Sequence, residues 1–109
     1  MWRSVYDRVQ GKAPPGARRS RGWRKRRLAH LRRYPRCAVC GGKKKLEVHH
    51  IIPFHLAPML ELDPENLMTL CEAGKYGIVC HQLVGHLGNY RRINPAVRSD
   101  VAFWAAKLR

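Results

Sequence analysis

A chain of 109 residues with 22 lysines and arginines against 7 acidic residues carries a formal charge of +15. That length makes one small domain whose thin core needs a staple, and that charge calls for a polyanionic partner, nucleic acid before an anionic membrane. No apolar run is long enough to span a bilayer, so no membrane partner is expected.

The amino-terminal MWRSVYDRVQ lacks the apolar stretch of a secretory signal, so a cytoplasmic location is expected. There, four cysteines favour a metal over disulfides. Residues 1–36 hold 13 of the basic residues and a single acid, Asp7. Within them residues 11–20, GKAPPGARRS, read as a flexible arm. Trp23, Arg27, Leu31 and Tyr34 then recur at helical spacing, with Ser20 as N-cap and Pro35 as stop. The expectation is a short basic helix whose apolar stripe docks on the domain behind it.

The compact part begins at Cys37. CAVCGG is a tight cysteine turn, and KKKLEVHHI is strand-like. In a strand, neighbouring side chains point to opposite faces. Leu46, Val48 and His50 then share one side, and Glu47, His49 and Ile51 the other. Residues 53–65, with three prolines, form an irregular connection. DPENLMTLC carries a helix start signal at Asp63, with Pro64 at the first helical position. CHQLVGHLG reads as a short helix ended by Gly88. The last helix has Asn94 as N-cap and an apolar stripe of Val97, Val101, Trp104 and Leu108, which points to packing.

Cys37 and Cys40 are spaced so that one turn can offer two thiolates to one ion. Cys71 and Cys80 supply a second pair, separated by eight residues whose Gly74 and Gly77 let them loop out. The four match a structural zinc site made of cysteines alone. The alternative is that Cys71 is a buried hydrophobe and that His81 or His86 completes the set.

The cysteine knuckle followed by HHIIP, NLMTLC and CH, over residues 37–86, resembles the HNH endonuclease family. The resemblance implies a treble-clef-like ββα-metal core, and with the basic amino-terminal arm and helix and the carboxy-terminal amphipathic helix read from the residue pattern the expected fold class is small α+β. The divisions expected are 1–36, 37–88 and 89–109. One departure is the eight-residue spacing of the last two cysteines, which the family commonly pairs more tightly.

By resemblance His50 is the general base, Asn66 braces the loop that orients it, and His49 and His81 bind a catalytic divalent ion (Mg²⁺, Mn²⁺, Ni²⁺ or Zn²⁺). His86 is either a further ligand, a phosphate contact, or a plain surface or core histidine. Glu47 reads as an exposed strand glutamate or as support for a ligand. His30 and His55 read as structural or solvated. Arg24, Lys25, Arg26, Arg27, Lys43, Lys44 and Lys45 are expected to neutralise phosphates without reading bases. Trp23 and Tyr34 either stack on a base or pack.

The expected function is metal-dependent hydrolysis of double-stranded DNA with low sequence specificity, a homodimer being one route to a double-strand break. The alternative is a non-catalytic zinc-finger module that binds nucleic acid.

Overall fold

The structure, a computed structural model, describes residues 19–74 and 77–109. The expectations for residues 1–18, including most of the flexible arm, lie outside the described residues. In chain order the elements are helix α1 (Trp23–Arg33), strand β1 (Leu46–His50), two single 3-10 turns (Pro58–Leu60 and Pro64–Asn66), strand β2 (Leu67–Cys71), a π-helical turn (His81–Gly85) and helix α2 (Val97–Leu108). The result is a small α+β protein of the ββα-metal kind. No helix among the described residues is long and apolar enough to cross a membrane.

β1 and β2 form a two-stranded antiparallel ribbon, with Leu46 opposite Cys71 and His50 opposite Leu67. An isolated ribbon of this size is marginal in water, and here both faces are covered. α1 lies on one face, where the Trp23 ring meets the His50 ring at 4.5 Å and the Thr69 hydroxyl donates to the Tyr34 carbonyl at 2.9 Å. The π-turn lies on the other, with Gly85 against Leu70 and His49.

The segment after Asp63 corrects the sequence reading. Asp63 does cap, its Oδ1 accepting the Glu65 N–H at 2.9 Å. The helix, however, stops after one 3-10 turn, and Leu67–Cys71 is strand. Pairing with β1 satisfies these backbone groups and buries four of the five side chains, which outweighs a local start signal.

Three further details differ. Ser20 does not cap α1, whose N-cap is Gly22 with no side-chain bond. Its N–H instead donates to the Glu61 carboxylate at 3.0 Å. The buried position of α1 is His30, whereas Tyr34 is 49 % exposed, its ring lying against that of His30 at 4.9 Å. In α2, Val97 and Val101 are buried and Leu108 packs against the core, but Trp104 is exposed.

Four of the nine buried residues in the central cluster are the cysteines; the others are Val39, Leu70, Val84, Val97 and Val101. The thiols therefore stand where a larger domain would place leucines. The Cys37–Cys40 turn joins the ribbon by its backbone, Ala38 N–H donating to the Thr69 carbonyl at 2.9 Å. At the far end of the chain Arg109 Nη2 donates to the Cys37 carbonyl at 2.9 Å.

Asn94 ties α2 to the π-turn. Its Nδ2 donates to the Val84 carbonyl at 2.9 Å and to Asp100 Oδ2 at 2.8 Å, while its Oδ1 accepts the Ala96 N–H at 3.0 Å. It thus turns the chain into α2, although the helix itself starts at Val97 behind an uncapped Ala96. Asn94 is buried, so Asn94→Ala leaves the Val84 carbonyl without its donor. We expect a loss of about 1–3 kcal/mol in urea denaturation; an unchanged midpoint would show that the tie carries no load.

Candidate metal and active site

Two clusters of metal-ligating side chains form within the described residues: Cys37, Cys40, Cys71 and Cys80, and His49, His81 and His86, the ligand atoms of each set lying within 4.8 Å of one another. The cysteines are all buried and none is in a disulfide. Metal–sulfur bonds of about 2.3 Å at tetrahedral angles hold sulfurs about 3.8 Å apart, and Cys40 Sγ and Cys71 Sγ are 3.8 Å apart. Burial pushes the Cys71 and Cys80 thiols up from their ordinary value. A dication reverses that balance by stabilising thiolates.

The loop after Cys71 closes over the sulfurs. A Cβ on Gly74 would stand 2.8 Å from Cys71 Sγ and 3.1 Å from Cys40 Sγ, and 2.6 Å from the Ile78 carbonyl. Only glycine fits there. The eight-residue spacing thus returns Cys80 to the set, and no histidine is drawn into it.

The pleat of β1 separates the two adjacent histidines. Both are buried, yet their surroundings differ completely. His50 faces α1. Its Nε2 lies 3.0 Å from the Glu61 carbonyl, which can only accept, so Nε2 carries the proton and Nδ1 keeps the lone pair. Arg19 Nη1 is 3.5 Å from that Nδ1, and the Arg19 guanidinium sits between the Trp23 and Phe54 rings at 5.1 and 4.9 Å. Burial holds His50 below its ordinary value, against the opposing pull of the Glu61 carbonyl.

Asn66 fixes the loop that carries Glu61. Its Oδ1 accepts the Ile52 N–H at 2.8 Å, and its Nδ2 donates to the carbonyls of Ile52 at 3.0 Å and Leu60 at 3.2 Å. The buried side chain spans both ends of residues 52–60.

His49 faces the π-turn. His81 and His86 are five residues apart, a spacing that an α-helix would splay but an i to i+5 turn brings onto one face. Two hydrogen bonds settle their tautomers. His81 Nδ1 donates to Glu72 Oε1 at 3.0 Å, and His86 Nδ1 donates to the Arg92 carbonyl at 2.9 Å. Each Nε2 therefore presents a lone pair, and the two are 3.2 Å apart. With no proton between them, two such atoms repel unless a cation lies between. His49 Nδ1 is 3.2 Å from His81 Nε2. Nitrogens bound at about 2.1 Å lie about 3.0–3.4 Å apart, so the set fits a divalent ion.

Burial, then the nearby His81, His86 and His50, push His49 down to about 3; burial also lowers His81. Both stand neutral, as ligands must. Gly85 lets the rings approach, since a Cβ there would lie 3.3 Å from both His49 and His81.

Several contributors escaped the sequence. Glu72 orients His81, and the Tyr90 hydroxyl donates to the same carboxylate. Glu47 instead pairs with Arg27 at 3.6 Å and bonds no histidine. Glu72 lies next to Cys71, and that adjacency was the one signal that could have found it. His30 is buried in α1 and His55 is exposed. Of the basic candidates, Arg24, Lys25, Lys43, Lys44 and Lys45 are exposed, and Arg26 and Arg27 are half-buried.

No curated protein and no solved structure matches the chain. Residues 37–86 do match the family model described as HNH endonuclease. That span begins at the first cysteine of the knuckle and ends at the last of the three clustered histidines.

Proposed function

We propose that this protein is a metal-dependent endonuclease that hydrolyses phosphodiester bonds of double-stranded DNA with low sequence specificity. The observation that carries the reading is the pair of lone-pair nitrogens on His81 and His86, 3.2 Å apart beside His49. His50 lies on the opposite face of the same strand end. A zinc-finger module that only binds nucleic acid would account for the cysteines and the charge, but it leaves three converging imidazoles without a task.

The cysteine set holds a structural zinc. His49, His81 and His86 hold the catalytic ion, which when bound supplies a Lewis acid at the phosphate and the leaving 3′ oxygen. His50 Nδ1 takes a proton from the attacking water, whose oxygen bonds to phosphorus as the bond to the 3′ oxygen breaks. The Glu61 carbonyl keeps the His50 proton on Nε2, so the base stays in the tautomer that can accept. Asn66 prevents the Glu61 loop from shifting and turning the ring. Glu72 does the same for His81. Arg24, Lys25, Lys43, Lys44 and Lys45 hold phosphates without reading bases.

Three measurements test this. The first is nicking of supercoiled plasmid with Mg²⁺, Mn²⁺ or Ni²⁺. His50→Ala should slow it by roughly 10²–10⁴-fold while DNA affinity and zinc content stay unchanged. A parent protein that never nicks returns the chain to the zinc-finger reading, and a His50→Ala variant as fast as the parent removes His50 as base.

The second is the metal dependence of nicking. His86→Ala should raise the Mn²⁺ concentration for half-maximal rate, with excess Mn²⁺ restoring much of the activity by mass action. An unaltered Mn²⁺ dependence would place His86 outside the ligand set.

The third concerns zinc. Purified protein should hold about one tightly bound zinc, and Cys71→Ser should lose it together with most of the thermal stability. Retention of zinc and a normal melting transition would take Cys71 out of the site.

A further inference from the structure

A cleft of about 1170 Å³ runs between the carboxy-terminal half of α1, the outer edge of β2 and α2. None of the clustered cysteines or histidines lines it. Five arginines do: Arg26, Arg33, Arg36, Arg98 and Arg109, against Glu65 as the sole acid. Among the described residues none of the five is ion-paired to a carboxylate. Instead three of the guanidiniums are held by backbone carbonyls. Arg36 donates to Gly41 at 3.2 Å, Arg109 to Cys37 at 2.9 Å, and Arg98 to Glu65. A carbonyl bond fixes the direction of a guanidinium and leaves its full charge uncompensated. Converging cations of this kind concentrate an anion in the cleft, and the arginine fork suits phosphate oxygens.

The cleft also holds an aromatic ring that the fold does not use. Tyr34 follows α1, is 49 % exposed and lines the cleft. Arg33 Nε donates to its hydroxyl at 3.1 Å, and the His30 ring backs it at 4.9 Å. The ring is thus oriented but half uncovered. A charged groove with a fixed, exposed aromatic is the arrangement that takes single strands, phosphates on the arginines and an unstacked base on the ring. A blunt duplex cannot use that ring, because each base face inside it is already covered by the next base pair.

We propose that this cleft binds a single-stranded DNA segment continuing from the duplex at the catalytic site, so that the preferred substrate is a duplex with a single-stranded tail or flap. The inference rests on the nuclease reading for its substrate, but its test does not depend on cutting. The probe is fluorescence anisotropy with the full chain, without added divalent metal. It compares a blunt duplex, the same duplex with a short thymidine tail, and the same duplex with an abasic tail of equal length.

The thymidine tail should tighten binding about tenfold, as one or two stacked bases would, and the abasic tail should give clearly less. Tyr34→Leu should remove the difference between thymidine and abasic tails. Arg98→Gln, an exposed change on α2, should weaken both tailed DNAs severalfold. Both variants should bind the blunt duplex within about twofold of the parent and keep the parent's circular dichroism.

Equal affinity of the parent for blunt and tailed duplexes overturns the proposal. So does a uniform loss across all three DNAs in the variants, which would make the cleft a general electrostatic surface. Failure of the nuclease reading would show instead as an absence of metal-dependent nicking, whatever the anisotropy reports.

Discussion

Cys37 and Cys40 lie on one turn, and Cys71 and Cys80 at the two ends of a loop closed by Gly74, so the four thiols meet at the middle of the buried cluster. Among the described residues no apolar side chain larger than Leu70 is fully buried, and a core of valines, one leucine and cysteines is too thin to hold a two-stranded ribbon between α1 and the π-turn. An ion held among the thiols would join the knuckle, the end of β2 and the start of the π-turn in a single link. The candidate active site inherits its geometry from that link. Cys71 is followed by Glu72 and Cys80 by His81, so the residues that orient and supply one imidazole each directly follow a thiolate in the chain.

The second organising feature is the pleat of β1. Two adjacent histidines on an extended chain cannot share a task that needs both rings at one point, and here they do not share one. His49 turns to the π-turn, where its ring converges with those of His81 and His86, and His50 turns to α1, where a carbonyl fixes its proton. Burial acts alike on both, favouring the neutral form. It is the hydrogen-bond partner that separates them. Under the proposed function this places metal ligands and a base on opposite faces of one strand end, where each is tuned independently, as hydrolysis of a phosphodiester at neutral pH requires.

Much of this was legible in the sequence, and for physical reasons. Period-two alternation put His49 and His50 on opposite faces. Cysteine spacing marked the knuckle, and the glycines between Cys71 and Cys80 allowed the loop to return. What was not legible depended on contacts far apart in the chain. β2 carried a helix start signal, and only pairing with β1 made it a strand. His86 gave an ambiguous signal because its offset of five from His81 falls off an α-helical face; the π-turn that reconciles them has no sequence signature. Glu72 and Tyr90 act across the fold, and Tyr34 looked like part of a packing stripe with Trp23, Arg27 and Leu31, whereas the buried position of α1 is His30, outside that stripe. The arginine-lined cleft is likewise assembled from α1, β2 and α2, which no local pattern joins.

One small chain separates a cysteine cluster from an imidazole cluster, with His50 outside both. The most direct measurement is anomalous diffraction from crystals grown with zinc and soaked in Mn²⁺, recorded on both sides of each metal edge. A zinc peak is expected among the four sulfurs and a separate manganese peak within bonding distance of His49 Nδ1, His81 Nε2 and His86 Nε2, with His50 Nδ1 unligated. A single peak at the cysteines with none at the histidines, or manganese bound to His50, would contradict this arrangement.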